Sequence, residues 1–96
     1  MKYYNKYPES DCSSLYYNIG LIYKKSNMFK TSEDYLIQSI NERKSKSPEN
    51  EMMMYRSYLE LGGCQKELEK YEDSYNNLIF ALNFAKKGIG KISNVL

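Results

Sequence analysis

Histidine and tryptophan are absent from this 96-residue chain, and proline and cysteine occur only twice each. Loss of histidine removes the side chain most used as a general base near neutral pH and the commonest neutral metal ligand. No nucleophile–base pair, metal-ligand set or cofactor motif stands out among the remaining residues, so the chain reads as a non-enzyme without a cofactor. Cys12 and Cys64 are too few for a disulfide framework and do not form a Cys-x-x-Cys pair, which predicts two free thiols in a reducing compartment. No apolar run approaches the roughly 18 residues of a membrane span. The polar opening Met1-Lys2-Tyr3-Tyr4-Asn5-Lys6 is unlike a secretory leader, so a cytoplasmic location and no membrane partner are expected. The balance of 14 basic and 12 acidic side chains leaves a net charge of +2, too weak a field to point to nucleic acid. Gly88-Ile89-Gly90-Lys91 invites a phosphate-loop reading, but Ala85 stands where that loop needs glycine and Ile92 where it needs a hydroxyl.

What is present is a repeat. Tyr16-x-x-Ile19-Gly20 returns as Tyr58-x-x-Leu61-Gly62, an offset of 42 residues, and at the same offset Phe29 falls on Tyr71, Ser32 on Ser74, Leu36 on Leu78, Ser39 on Ala81 and Ile40 on Leu82. A period of this length, carried by small and apolar positions, predicts stacked supersecondary units whose shared faces make the core. The pattern inside each unit is helical. Tyr16, Ile19, Gly20 and Tyr23 fall on one stripe of a 3.6-residue helix, as do Ser32, Leu36, Ser39 and Ile40. Helices are expected at about 13–26, 29–45, 48–68 and 71–87, with no strand. Ser47-Pro48-Glu49 reads as a helix start, and Asp11, Ser13 or Ser14 as caps for the first helix. Asn27 suits a left-handed turn between the first two helices. Leu68-Glu69-Lys70 lacks such a residue, so the second turn is tighter or the helix runs on. Lys86, Lys87 and Gly88 read as the end of the fourth helix.

Mid-helix glycine costs about 1 kcal/mol relative to alanine. Close approach of the paired helix, at Ser32 and Ser74, is the expected reason for Gly20 and Gly62. Cys64 aligns with Ile22 and is expected to be buried and inert, while the run Met52-Met53-Met54 must turn at least one thioether outward or onto a neighbour.

These elements together resemble the tetratricopeptide repeat: Tyr16, Ile19, Gly20, Tyr23, Phe29, Ser32, Leu36 and Ser39 in one copy, and Tyr58, Leu61, Gly62, Tyr71, Ser74, Leu78 and Ala81 in the next. The family's usual period is about 34 residues, so the resemblance is to its long-helix branch, and Gln65 departs from the aromatic expected at its position. It divides the chain into a lead segment at 1–12, repeat 1 at 13–46, repeat 2 at 47–87 and a tail or cap at 88–96: an all-α fold of two antiparallel helix hairpins. The structural positions of the repeat are Tyr16, Gly20, Ser32, Gly62, Ser74 and Ala81.

The resemblance implies a protein-interaction module whose first helices line a concave, peptide-binding face. The residues on that face are Ser14, Tyr17, Leu21 and Lys24, with Arg56, Leu59, Gly63 and Lys66 from the second unit, and Asn18 as an amide that could hold a peptide backbone. They suit a peptide with an apolar anchor and an acidic group; the competing reading is an ordinary solvated face. A second functional reading is the repeat portion of a bacterial peptide-sensing regulator. Two units leave the fourth helix in need of cover, from a second copy in a homo-oligomer or from further units of a longer array.

Overall fold

Four α-helices account for the ordered secondary structure among the described residues of the computed structural model, which covers the backbone of residues 10–95 and the side chains of residues 10–88. They are α1 (Ser13–Lys25), α2 (Phe29–Lys46), α3 (Glu51–Glu67) and α4 (Tyr71–Val95). Each packs on the one before it, so the chain is all-α: two helical hairpins, α1–α2 and α3–α4, joined through an α2–α3 junction. Most of the expected lead segment lies outside the described residues.

The two hairpin turns have one geometry. After α1, Met28 N–H donates to the Tyr23 carbonyl at 2.9 Å and Asn27 N–H to that of Lys24 at 3.0 Å, with Asn27 at φ 62°. After α3, Lys70 N–H donates to the Gln65 carbonyl at 2.8 Å and Glu69 N–H to that of Lys66 at 3.0 Å, with Glu69 at φ 61°. Both are Schellman closures, in which one left-handed residue frees the last amides to pair with orphaned carbonyls. Glutamate is a poor residue for that conformation, which is why the second turn was not legible in the sequence. Starts differ from expectation too. The cap of α3 is Asn50, whose side chain accepts from Met53 N–H at 3.3 Å, and not Ser47. Ser47 instead donates its hydroxyl to Asp11 at 2.8 Å, and Asp11 also accepts from Ser13 N–H at 2.9 Å, tying the start of α1 to the end of α2.

Within each hairpin the glycine and the serine meet as a pair. Ser32 Oγ donates to the Gly20 carbonyl at 2.6 Å, and Ser74 Oγ to the Gly62 carbonyl at 2.8 Å. A side chain at either glycine would strike the leucine one turn beyond the serine: an added Cβ would lie 2.9 Å from Leu36 Cγ at Gly20 and 2.8 Å from Leu78 Cγ at Gly62. The core lies around this contact, built from Tyr17, Leu36, Ile40, Met54, Tyr58, Leu61, Cys64 and Ala81. Of the methionine run, Met54 enters the core, Met53 packs beside it and Met52 faces outward.

Two stripes depart from the sequence pattern. In α1 the buried residues are Ser13, Tyr17 and Gly20; Tyr16 is half-buried, its ring 6.4 Å from that of Tyr35, which also stacks on Tyr23 at 5.7 Å. Tyr16 and Tyr17 each share a helical stripe with Gly20, and packing selects the second because α3 covers only that side. In α4, Ser74 and Ala81 are buried while Leu78 and Leu82 stay 37% and 48% exposed, because among the described residues no further helix lies over them. The end of α4 also departs from expectation: the helix continues through Gly88 and Gly90 to Val95, and no glycine among the described residues takes the positive φ that would stop it.

Gly20→Leu is expected to lower stability by about 1–3 kcal/mol through overpacking against the fully buried Leu36. Gly88 has open space around it, so Gly88→Ala should raise stability by about 0.5–1 kcal/mol through helix propensity alone. Chemical denaturation of both variants reads the two opposite signs.

Candidate functional site

A cleft of about 630 Å³ opens between the C-terminal halves of α1 and α3, beside the first hairpin turn. Leu21 and Phe29 give it an apolar floor, both half-buried and packed against the core. Its rim is charged, with Lys24, Lys25 and Lys66 set among Glu60 and Glu67. The hollow has a cause in the repeat register. Leu21 of α1 corresponds to Gly63 of α3, so the second unit omits the side chain that the first supplies. Lys24 reaches into the space left: its ammonium lies 2.7 Å from where a Cβ of residue 63 would stand, and 2.7 Å from Glu60 Oε1. This ion pair is the polar tie between α1 and α3.

Of the residues expected on the concave face, Leu21, Lys24, Gly63 and Lys66 line this cleft together. Tyr17 does not: it is 8% exposed and belongs to the core, where burial and the Glu60 carboxylate push its hydroxyl above the usual tyrosine range. Asn18, Arg56 and Leu59 are exposed but lie outside the cleft lining. Lys25, Asn27, Phe29, Glu60 and Glu67 complete the lining and were missed. Extending the stripe of Leu21 and Lys24 across the turn would have found Phe29.

A second polar cluster was also missed. Glu33 of α2 is 3% exposed, yet its carboxylate accepts from Lys70 Nζ at 3.0 Å through each oxygen and from Gln65 Nε2 at 3.1 Å. Gln65 Oε1 in turn accepts from Asn77 Nδ2 at 2.6 Å, so one network joins α2, α3 and α4. Gln65 and Asn77 occupy the register positions of Tyr23 and Tyr35, the stacked rings of the first unit. The stacked pair has become an amide pair with a free hand for Glu33. Burial pushes the Glu33 carboxyl up, but the hydrogen bonds from Lys70, Gln65 and Lys30 and the Lys70 charge outweigh it and bring it below the usual range. The network is satisfied internally, which makes it a lock on the junction and not an open site.

Cys64, fully buried, sits 3.1 Å from Ser32 Oγ. The single Ser32 hydroxyl proton goes to Gly20, so the thiol must donate to the hydroxyl oxygen. Burial pushes its pKa up, which leaves an unreactive thiol. Among the described residues no cluster of histidine, cysteine or carboxylate side chains could hold a metal ion, and no helix is long and apolar enough to cross a membrane.

The lowered Glu33 carboxyl stabilises the fold above the pH at which the unfolded carboxyl ionises, and that contribution is lost as pH falls through the folded value. Asp11, held at about 2 by its hydrogen bonds with Ser13 and Ser47 and by the charge of Arg43, acts in the same direction. The melting temperature should therefore fall from pH 5 downwards. Glu33→Gln should cost about 1–2 kcal/mol at neutral pH and flatten that acid limb, and equal pH slopes in variant and parent would contradict the assignment.

Compared with known protein families, with curated proteins and with solved structures, the chain gives no match.

Proposed function

We propose that this chain is a protein-interaction module of tetratricopeptide type that holds a short peptide in the cleft between α1 and α3. The observation that carries the reading is the composition of that cleft: an apolar floor of Leu21 and Phe29 beside three lysines, in about 630 Å³. An apolar anchor residue fills the floor, and an acidic side chain or a terminal carboxylate on the same peptide meets Lys25 and Lys66. Affinity comes from desolvating the anchor, while the cations fix orientation and speed encounter. The repeated hairpin with glycine–serine contacts supports the family resemblance, because helices stacked this way leave their first members along one face.

The probe is a set of fluorescently labelled short peptides, each combining one bulky apolar residue with an acidic group, titrated at low ionic strength and followed by anisotropy. Leu21→Asp should abolish binding by placing a charge on the floor. Lys66→Glu should weaken it roughly tenfold, equivalent to about 1.4 kcal/mol. Lys66 is exposed and Leu21 half-buried, and unchanged circular dichroism and melting temperature show that the fold is kept. Absence of binding across the set, or affinity indifferent to both substitutions, overturns this reading.

A further inference from the structure

The α2–α3 junction inside the chain is a template for a contact that the two ends of the molecule are left without. There, α3 lies on α2 with Ser57, Cys64 and Leu36 at 0% exposure and Ile40 at 4%. One repeat earlier, the α1 positions matching Ser57 and Cys64 are Leu15 and Ile22, 59% and 65% exposed. One repeat later, the α4 positions matching Leu36 and Ile40 are Leu78 and Leu82, 37% and 48% exposed. One end of the molecule thus presents an uncovered face of the α3 kind and the other an uncovered face of the α2 kind.

The polar lock on the internal junction changes character in the same register. Glu33 and Lys70, which close it by an ion pair, correspond to Tyr75 and Met28, 66% and 50% exposed, and Gln65 corresponds to Tyr23. No charge stands at any of these three terminal positions. Bringing the ends together in the register of the internal junction would set Tyr75 against Tyr23 and Met28, burying apolar surface with no unpaired ion.

We propose that a second copy of this chain seats its α1 on α4 of the first, as α3 seats on α2. The contact is heterologous, joining unlike faces, and it repeats at each free end, so assemblies lengthen with concentration unless the rotation between copies closes a ring. A symmetric dimer through α4 alone is disfavoured because it leaves Leu15 and Ile22 in water. The contact lies at the ends of the helix stack and is independent of the α1–α3 cleft, so it stands or falls apart from peptide binding.

Sedimentation velocity on the full chain, over a wide concentration range, tests it with Ile22→Lys on α1 and Leu82→Lys on α4. The parent should shift to larger species as concentration rises. Each variant alone should remain monomeric with an unchanged helical spectrum, since both positions are solvent-exposed. Mixed in equal amounts, they should form a dimer that grows no further, through the intact α4 of the Ile22→Lys copy and the intact α1 of the Leu82→Lys copy. A parent that stays monomeric, a parent dimer lost with Leu82→Lys but kept with Ile22→Lys, or a mixture of variants that does not associate would each overturn the proposal.

Discussion

The hydrogen bond from a serine hydroxyl to a glycine carbonyl, made once in each hairpin, is the constraint on which the rest of this structure depends. A carbonyl in mid-helix is already used by its own helix, so the serine adds a second acceptance at its free lone pair. It can do so only where the two backbones come close enough for a side chain of one carbon and one oxygen to bridge them. Gly20 and Gly62 permit that approach, and the leucine one turn beyond each serine then fills the space beside the bare backbone. In the first hairpin the bridge is extended: the Cys64 thiol donates to Ser32, which donates to Gly20, so a chain of hydrogen bonds crosses from α3 through α2 to α1. Such a relay sets the height of the second unit on the first as well as the spacing within one.

Equal backbones carry unequal chemistry. The hairpins share their turns, their glycine–serine contacts and their leucines, yet the first closes its open side with stacked tyrosines and the second with an amide pair that reaches Glu33. Stacked rings are satisfied by each other and tolerate sliding. A buried carboxylate with donors from α3 and from the turn that follows it does not, because any shift strands a charge in a poorly solvated place. The polar set therefore sits where one arrangement of α2, α3 and α4 has to be selected, while the tyrosines occupy a position that only α1 and α2 share.

The fold was legible because its signal is periodic. The offset between Gly20 and Gly62, with the serines and leucines following in step, fixes the number of helices, their pairing and the place of close contact without knowledge of any coordinate. What escaped was whatever depends on the far side of a contact. Tyr16 and Tyr17 share equal claims to the core until the position of α3 is known. Glu69 carries no sign of the left-handed turn it makes, since that conformation is imposed by the carbonyls of Gln65 and Lys66. Gly88 and Gly90 read as a stop, but glycine stops a helix only when it turns left-handed, and nothing after them requires it. The cleft was half legible: Leu21, Lys24, Gly63 and Lys66 follow from the helical stripe and Phe29 from its continuation across the turn, whereas Glu60 enters only through the angle at which the hairpins cross.

The cleft owes its depth to a difference between repeats, and the inward reach of Lys24 to the same difference. Had residue 63 carried the leucine of position 21, the floor would be level and Lys24 would be driven out toward water. Glycine instead lets the Lys24 ammonium cross to Glu60, within 2.7 Å. That pair is half-exposed, so it holds the two helices only weakly, and its lysine can be shared. A carboxylate entering beside Lys25 and Lys66 would compete with Glu60 for the same ammonium. The cleft thus sets three lysines against two glutamates, in a chain whose overall charge is close to neutral.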